Sequence, residues 1–234
     1  MMIFYGMNSL LRRDAGINNF NSWTGETKSA LQWKMENDRT EMKIPLAANG
    51  SVFVIFRKLT SVKENNHRSS LGKWKTDISH NWMVKFDSSF GGPVLNQAFK
   101  KLSPWNESQN DSIKYYSGTV VYTRTFGLSN LKSNIAYYLS IDSLFNMATI
   151  RINGKECGTI WTKPYRLDVS KAIVNGLNKI EIAVTNTWFN RLQHDNTLPE
   201  NKRLTWTTAP LSFMKDLPMQ KAGLEGNIWL EEVF

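Results

Sequence analysis

The 234 residues contain one cysteine, Cys157. A single cysteine excludes an internal disulfide and any zinc site built from several thiolates. Histidine is almost as scarce: His67, His80 and His194 have no ligand spacing with one another or with Cys157. No Gly-x-Ser-x-Gly elbow prepares a serine nucleophile, and no glycine-rich loop is available to cradle phosphate. No apolar run approaches the roughly 18–20 residues of a bilayer-crossing helix. The first residues lack the basic-then-apolar-then-small order of a secretion signal, so no export signal is expected from them. Internal repeats and low-complexity tracts are also absent. Acidic residues are the minority charge: 20 Asp and Glu against 29 Lys and Arg give a formal net charge of +9. The basic residues are scattered and no nucleic-acid motif accompanies them, so no nucleic-acid partner is expected.

What is abundant is aromatic. The chain carries 9 Trp, 12 Phe and 7 Tyr, a load that favours strands and also builds surfaces on which sugars stack. The strongest local signal lies in residues 147–170. A β-branched run, Thr149 to Ile152, meets Asn153-Gly154, and a second run, Gly158 to Trp161, ends at Pro164. Asn and Gly tolerate the positive φ values of a two-residue type I′ turn, so the stretch predicts a hairpin. Cys157 lies just past that turn in strand pattern and is expected to be a small buried residue.

The rest of the chain supplies partners for this hairpin. Leu10 to Arg13 reads as the start of a short helix, and Trp23 to Glu26 and Asn37-Asp38 as turns. Arg39 to Leu46 alternates, Asn49-Gly50 is a second turn signal, and Val52 to Phe56 is an apolar strand. These two strands are expected to form a hairpin, and a lone hairpin is marginal in water. Residues 59–72 are polar and read as a linker. Beyond them, strands are predicted over 82–87, 113–126 (bent at Ser117-Gly118), 136–141, 147–161, 179–186 and 227–234. Asn96 to Leu102 reads as helical, Ser170 as the cap of a short helical turn, and residues 191–223 as irregular. About eight strands with almost no helix predict an antiparallel sandwich or jelly roll.

Chemistry is sparse. Glycosidases work with two carboxylates roughly 5–9.5 Å apart. Asp142, Asp168, Glu181, Asp195, Glu200 and Glu225 are the candidates, and no sequence pattern joins any two as an acid/base pair. No catalytic residue and no resident cofactor is therefore assigned, although loop carbonyls with Asp or Glu near 107–111 could hold a structural Ca²⁺. What remains is an aromatic and polar constellation. Trp161, Tyr165, Trp188 and Trp206 fall at strand ends or in loops beside Asn186, Asn190, Arg191, Asp195 and Arg203. Rings that stack on a sugar face, with polar groups for its hydroxyls, make Trp188, Asn190, Arg191, Asp195 and Trp206 the candidate carbohydrate-binding residues. The opposing reading is that the tryptophans seal the sandwich ends or dock another domain.

Four landmarks, in order, resemble a known family. Tyr115 to Phe126 (YYSGTVVYTRTF), Asn153 to Ser170 (NGKECGTIWTKPYRLDVS), Val184 to Leu192 (VTNTWFNRL) and Lys202 to Thr207 (KRLTWT) are similar to the C-terminal sandwich of family 106 α-L-rhamnosidases. The second also resembles the sugar-binding-like sandwich of family 2 glycoside hydrolases. Upstream, Ile44-Pro45-Leu46 and Gly50 to Arg57 resemble the last strands of the sandwich before it. The resemblance spans about residues 20–234 and implies an all-β fold. Residues 73–234 would form a galactose-binding-like jelly-roll β-sandwich, 59–72 a linker and 1–58 a small strand remnant of a second β domain. The barrel that carries the family's catalytic carboxylates has no counterpart here, and the first 20 residues match no part of the pattern, as in a fragment. Glu225 stands in Gly223-Leu224-Glu225-Gly226 where an apolar residue is expected. The resemblance thus implies an accessory, non-catalytic carbohydrate-binding or scaffolding module of an α-L-rhamnosidase-like glycoside hydrolase. Its expected partners are carbohydrate, including rhamnose-containing glycans, and a catalytic domain or separate chain. The alternatives are a purely structural docking domain and a hydrolase active by itself. Family members are exported, which this chain's own start does not signal.

Overall fold

The structure is a computed structural model that describes residues 15–20, 27–29, 32–36, 39–44, 53–59, 62, 64–66, 71–208, 214 and 216–233. The expected helix start at 10–13 and the turns at 23–26, 37–38 and 49–50 lie outside the described residues. The chain divides into two compact units, Met1–Ser70 and Leu71–Phe234.

The first unit holds six strands: β1 (Ala15–Phe20), β2 (Thr27–Ser29), β3 (Gln32–Glu36), β4 (Arg39–Met42), β5 (Phe53–Leu59) and β6 (Glu64–Asn66). They form two three-stranded antiparallel sheets, β2-β1-β5 and β4-β3-β6. The expected hairpin of 39–46 with 52–56 is corrected: β4 pairs with β3, and β5 pairs with β1. β3 alternates but is only five residues long, and β1 does not alternate strictly, so neither stands out in the sequence. Trp33, Met42 and Ile44 make a small buried core, with Met35, Val54 and Phe56 packed against it. The polar stretch 59–72 contains β6 and the boundary between the units.

The second unit contains ten strands among its described residues. They are β7 (Leu71–Asp77), β8 (Trp82–Lys85), β9 (Gln97–Phe99), β10 (Thr119–Leu128), β11 (Ala136–Phe145), β12 (Met147–Ile152), β13 (Lys155–Ile160), β14 (Arg166–Asp168), β15 (Gly176–Thr185) and β16 (Gly223–Val233). A six-stranded sheet, β13-β12-β15-β10-β8-β9, faces a four-stranded sheet, β14-β11-β16-β7, and every pairing is antiparallel. The period-2 alternation puts Val120, Tyr122, Ile150, Ile152, Ile180, Ile182 and Val184 inside from the first sheet. Leu139, Ile141, Ile228 and Leu230 come from the second into the same core. Each of these aliphatic side chains stabilises the unit by roughly 1.5–3 kcal/mol through burial. This is the expected all-β antiparallel sandwich.

The predicted hairpin is β12–β13. Asn153 and Gly154 take φ of 53° and 79°, the left-handed pair a type I′ turn requires. Cys157 is the extra residue of a β-bulge: Arg151 faces Glu156 and Ile150 faces Gly158. Its thiol is half-buried, not deep in the core as expected, and burial pushes its pKa up. Two element assignments are corrected. Residues 97–99 are strand, paired to β8, where helix was expected. The expected strand 113–126 begins only at Thr119, because Asn110 caps a short helix, α1 (Asp111–Lys114).

On the outer face of the four-stranded sheet, Glu231 accepts from Lys75 Nζ at 3.0 Å and Ser140 Oγ at 3.0 Å, with Arg166 Nη2 at 3.7 Å. Burial alone would raise its pKa, but these partners outweigh burial and hold the carboxyl below its ordinary 4.5. A depressed folded-state pKa gives stability that is present above the unfolded value and lost as pH falls through the folded one. Glu231→Gln should therefore be less stable than the parent at neutral pH. The difference should shrink as pH falls below 4.5, as urea unfolding across pH will measure.

Candidate functional site

The five candidate ligand residues converge on one end of the sandwich unit, around a helix that the sequence reading missed. After β15, Asn186 accepts from the Gly118 N–H at 2.9 Å and donates to the Tyr116 carbonyl at 3.2 Å, fixing the chain's direction as it leaves the sheet. Trp188 then takes the N-cap position of α2 (Phe189–Asp195). The helix turns Asn190, Arg191 and Asp195 inward; they are 2%, 5% and 2% exposed. Trp188 stays outside at 42% and Trp206 at 85%.

The buried polar side chains hold neighbouring segments in place. Asn190 donates to the Gln220 carbonyl at 2.7 Å and accepts from the Gln220 N–H at 2.8 Å, which pins the segment leading into β16. Asp195 Oδ2 accepts from the Leu204 N–H at 3.0 Å, the Thr205 N–H at 2.8 Å and the Thr205 hydroxyl at 2.6 Å. Its other oxygen lies 3.5 Å from Arg191 Nη1, an (i, i+4) pair on the helix. Arg203 donates to the Leu198 carbonyl at 2.9 Å and so braces the same loop. Buried polar groups are costly unless bonded, and here the bonds fasten the loop that carries Trp206.

Around Trp188 the surface is apolar. Phe90 meets it edge-on with ring centroids 5.8 Å apart, and both rings are partly exposed. Phe90 ends a turn that Asp87 initiates by accepting from the Ser89 N–H at 2.9 Å. Gly91 closes that turn at φ 78°, a left-handed conformation that favours glycine, and a Cβ there would lie 2.3 Å from Leu204 Cδ1, so the leucine side chain would have to shift. Behind the helix, His194 stacks on Tyr115 with centroids 3.8 Å apart. Burial, and then the Arg191 charge, hold its imidazole below the ordinary 6.5, so it is neutral at pH 7.

Sequence reasoning did not find Phe90, Leu204 or Gln220. The signal available was the Arg191/Asp195 spacing, which predicts a helix once residues 191–195 are not read as loop. Trp161 is 48% exposed beyond the end of β13.

The carboxylates have local duties. Asp142 accepts from the Asn227 N–H at 2.8 Å, Asp168 from the Ser170 N–H at 3.0 Å, and Glu181 and Glu225 pair with Lys179 and Lys221 at 2.7 Å. The unexpected Glu225 is thus a partly exposed ion-pair residue. In the loop 107–111, Asn110 accepts from the Ser112 N–H at 3.0 Å to cap α1. No group of three His, Cys, Asp or Glu among the described residues is placed to hold a metal ion. No helix among the described residues is long and apolar enough to cross a membrane.

Comparison with known proteins agrees with this architecture. A rhamnosidase from Novosphingobium sp. PP1Y superposes over 95% of the chain with a TM-score of 0.82 and 28% identity. The chain spans only 21% of that enzyme's length. A Formosa agariphila protein named "Putative beta-glucuronidase" is 41% identical over 125 residues, 52% of this chain and 11% of that protein. Residues 94–222 match the family model described as glycosyl hydrolase 2 galactose-binding domain-like. That match takes in all of β9 to β15, α2 and the Trp206 loop; the chain belongs to the glycosyl hydrolase 2 galactose-binding domain-like family.

Proposed function

We propose that this chain is an accessory, non-catalytic module of a larger α-L-rhamnosidase-like glycoside hydrolase, and that it contacts carbohydrate through the end bearing Trp188 and Trp206. The observation that carries this reading is the contrast between the exposed rings, 42% and 85%, and the buried polar residues beneath them. A ring fixed in place before binding loses little conformational freedom when a sugar stacks on it. Asn190, Arg191 and Asp195 thus act first as the scaffold that aims the rings. The unit Met1–Ser70 is read as the last strands of a neighbouring β domain. The similarity to the rhamnosidase over 95% of the chain supports that reading.

Calorimetry with rhamnose-containing oligosaccharides tests the proposal. Trp206→Ala should leave unfolding free energy within about 0.5 kcal/mol, because the side chain is a surface group. The same change should weaken sugar binding by about tenfold, the effect of losing one stacked ring. No heat at millimolar sugar would remove carbohydrate contact and favour a second reading, docking on a catalytic domain. Val94 and Leu95, 85% and 77% exposed, favour that alternative.

A further inference from the structure

The outer face of the six-stranded sheet carries a strip that the site above does not use. Ala148 pairs with Ile160 and both face the core, so Met147 and Trp161 are the next residues on the two chains. Both are exposed, at 41% and 48%. Met147 pairs with Thr185 on β15, and Thr185 pairs with Thr119 on β10. The Thr119 and Thr185 hydroxyls lie 2.8 Å apart. One row further along the sheet, the Thr149 and Thr159 hydroxyls lie 2.9 Å apart. In each pair one hydroxyl donates to the other, which leaves the pair one O–H and several lone pairs for a ligand. Ala183 and Val121 continue the Thr149 row, and side chains this small keep the surface flat. The strip crosses four strands set about 4.8 Å apart, so it is about 14 Å long.

We propose that this strip is a second carbohydrate-contact surface, a platform along which a neutral oligosaccharide lies with one ring stacked on Trp161 and its hydroxyls bonded to the two threonine pairs. The inference rests on the carbohydrate reading above and adds to it a surface and a preference for chains over single sugars. Three observations support it. An exposed indole at one end and hydroxyl pairs beyond it match the apolar face and the hydroxyls of a sugar. The strip itself is uncharged. The next outward row, Arg151 and Glu181, is charged, but each is held by a partner of opposite sign, Glu156 and Lys179, at 2.7 Å. No unpaired cation in that row is offered to an acidic glycan. A row of threonines is also more polar than the core of a protein interface, which favours a glycan over a protein surface.

Calorimetry on the full chain tests this with a neutral rhamnose hexasaccharide, the matching disaccharide and a hexagalacturonate. The hexasaccharide should bind more tightly than the disaccharide. Trp161→Ala should weaken the hexasaccharide about tenfold, the effect of losing one stacked ring. Thr149→Val, which keeps the β-branched shape and removes the hydroxyl, should weaken it severalfold, the effect of one neutral hydrogen bond. The Trp161 indole N–H resonance, assigned by its absence from Trp161→Ala, should shift on adding the hexasaccharide, as should the Thr149 and Thr159 methyl resonances. Hexasaccharide binding that Trp206→Ala weakens but Trp161→Ala does not, with those resonances unmoved, overturns this inference and leaves the carbohydrate reading standing. Absence of binding to any glycan overturns both. Hexagalacturonate binding more tightly than the neutral chain, with the same Trp161 shift, overturns the assignment to neutral glycans. Self-association that Trp161→Ala abolishes, with no glycan effect at Trp161, makes the strip a contact between copies of this chain and overturns the assignment to a sugar.

Discussion

Asp195→Ala should destabilise the Leu71–Phe234 unit by about 3–5 kcal/mol, the usual consequence of removing one member of a buried charged pair. The change strips Arg191 of the carboxylate it pairs with and leaves the Leu204 and Thr205 N–H groups without their acceptor. Urea unfolding followed by tryptophan emission measures the loss. Asp195→Asn keeps an acceptor oxygen for the loop but no charge for Arg191, and should fall between the two. A loss below about 1 kcal/mol for the alanine variant would mean that the pair does not anchor the Trp206 loop, since substitutions away from such anchors seldom cost more. On the carbohydrate reading proposed above, affinity should drop in Asp195→Ala even under conditions where the unit stays folded, because the loop carrying Trp206 is no longer anchored.

The second large effect is expected at Asn178, which is fully buried and fully bonded. Its oxygen accepts from Asn153 Nδ2 and the Val174 N–H, both at 2.9 Å. Its amide donates to the Val174 carbonyl at 2.8 Å and the Gly176 carbonyl at 3.2 Å. Asn153, at the hairpin turn, in turn donates to the Ala172 carbonyl and accepts from the Lys179 N–H, each at 2.9 Å. One interior amide thus joins the β12–β13 turn to the loop that starts β15. Asn178→Ala leaves several buried groups unbonded and should cost about 3 kcal/mol. In a unit of this size that lowers the melting temperature by roughly 6–12 °C, which calorimetric scanning can resolve. Asn178→Asp keeps the acceptor but introduces a buried charge without a cation, and should not restore the parent's stability.

The parts of this fold that were legible in the sequence are those with strong local chemistry. Asn153-Gly154 admits few conformations other than a tight turn, and the alternating isoleucines of β12 and β15 assign their inner face without ambiguity. Trp188 and Trp206 were placed outside the sheets correctly because proline and polar residues surround them. The depth of Asn190, Arg191 and Asp195 was not legible. Polar side chains are exposed by default, and what buries these three are backbone groups 9–30 residues further on, at Leu204, Thr205 and Gln220. Helix α2 was hidden for a related reason: it turns polar residues inward, so it lacks the apolar stripe by which an amphipathic helix is recognised. Strand β9, three residues long, is too short to show a period, as are β2 and β6, and β3 alternates over only five residues.

Two of the three bonds that hold the Trp206 loop run from Asp195 to main-chain N–H groups. Every amino acid except proline supplies such a group, so the anchor does not depend on which side chains the loop displays. Position 206 can consequently change without loosening the loop, whereas position 204 also carries the side chain that packs on Gly91. The constraint falls instead on what lies beneath, since Asp195 tolerates little change and proline at 204 or 205 would remove a donor. The display end is therefore evolvable at its surface and frozen at its base.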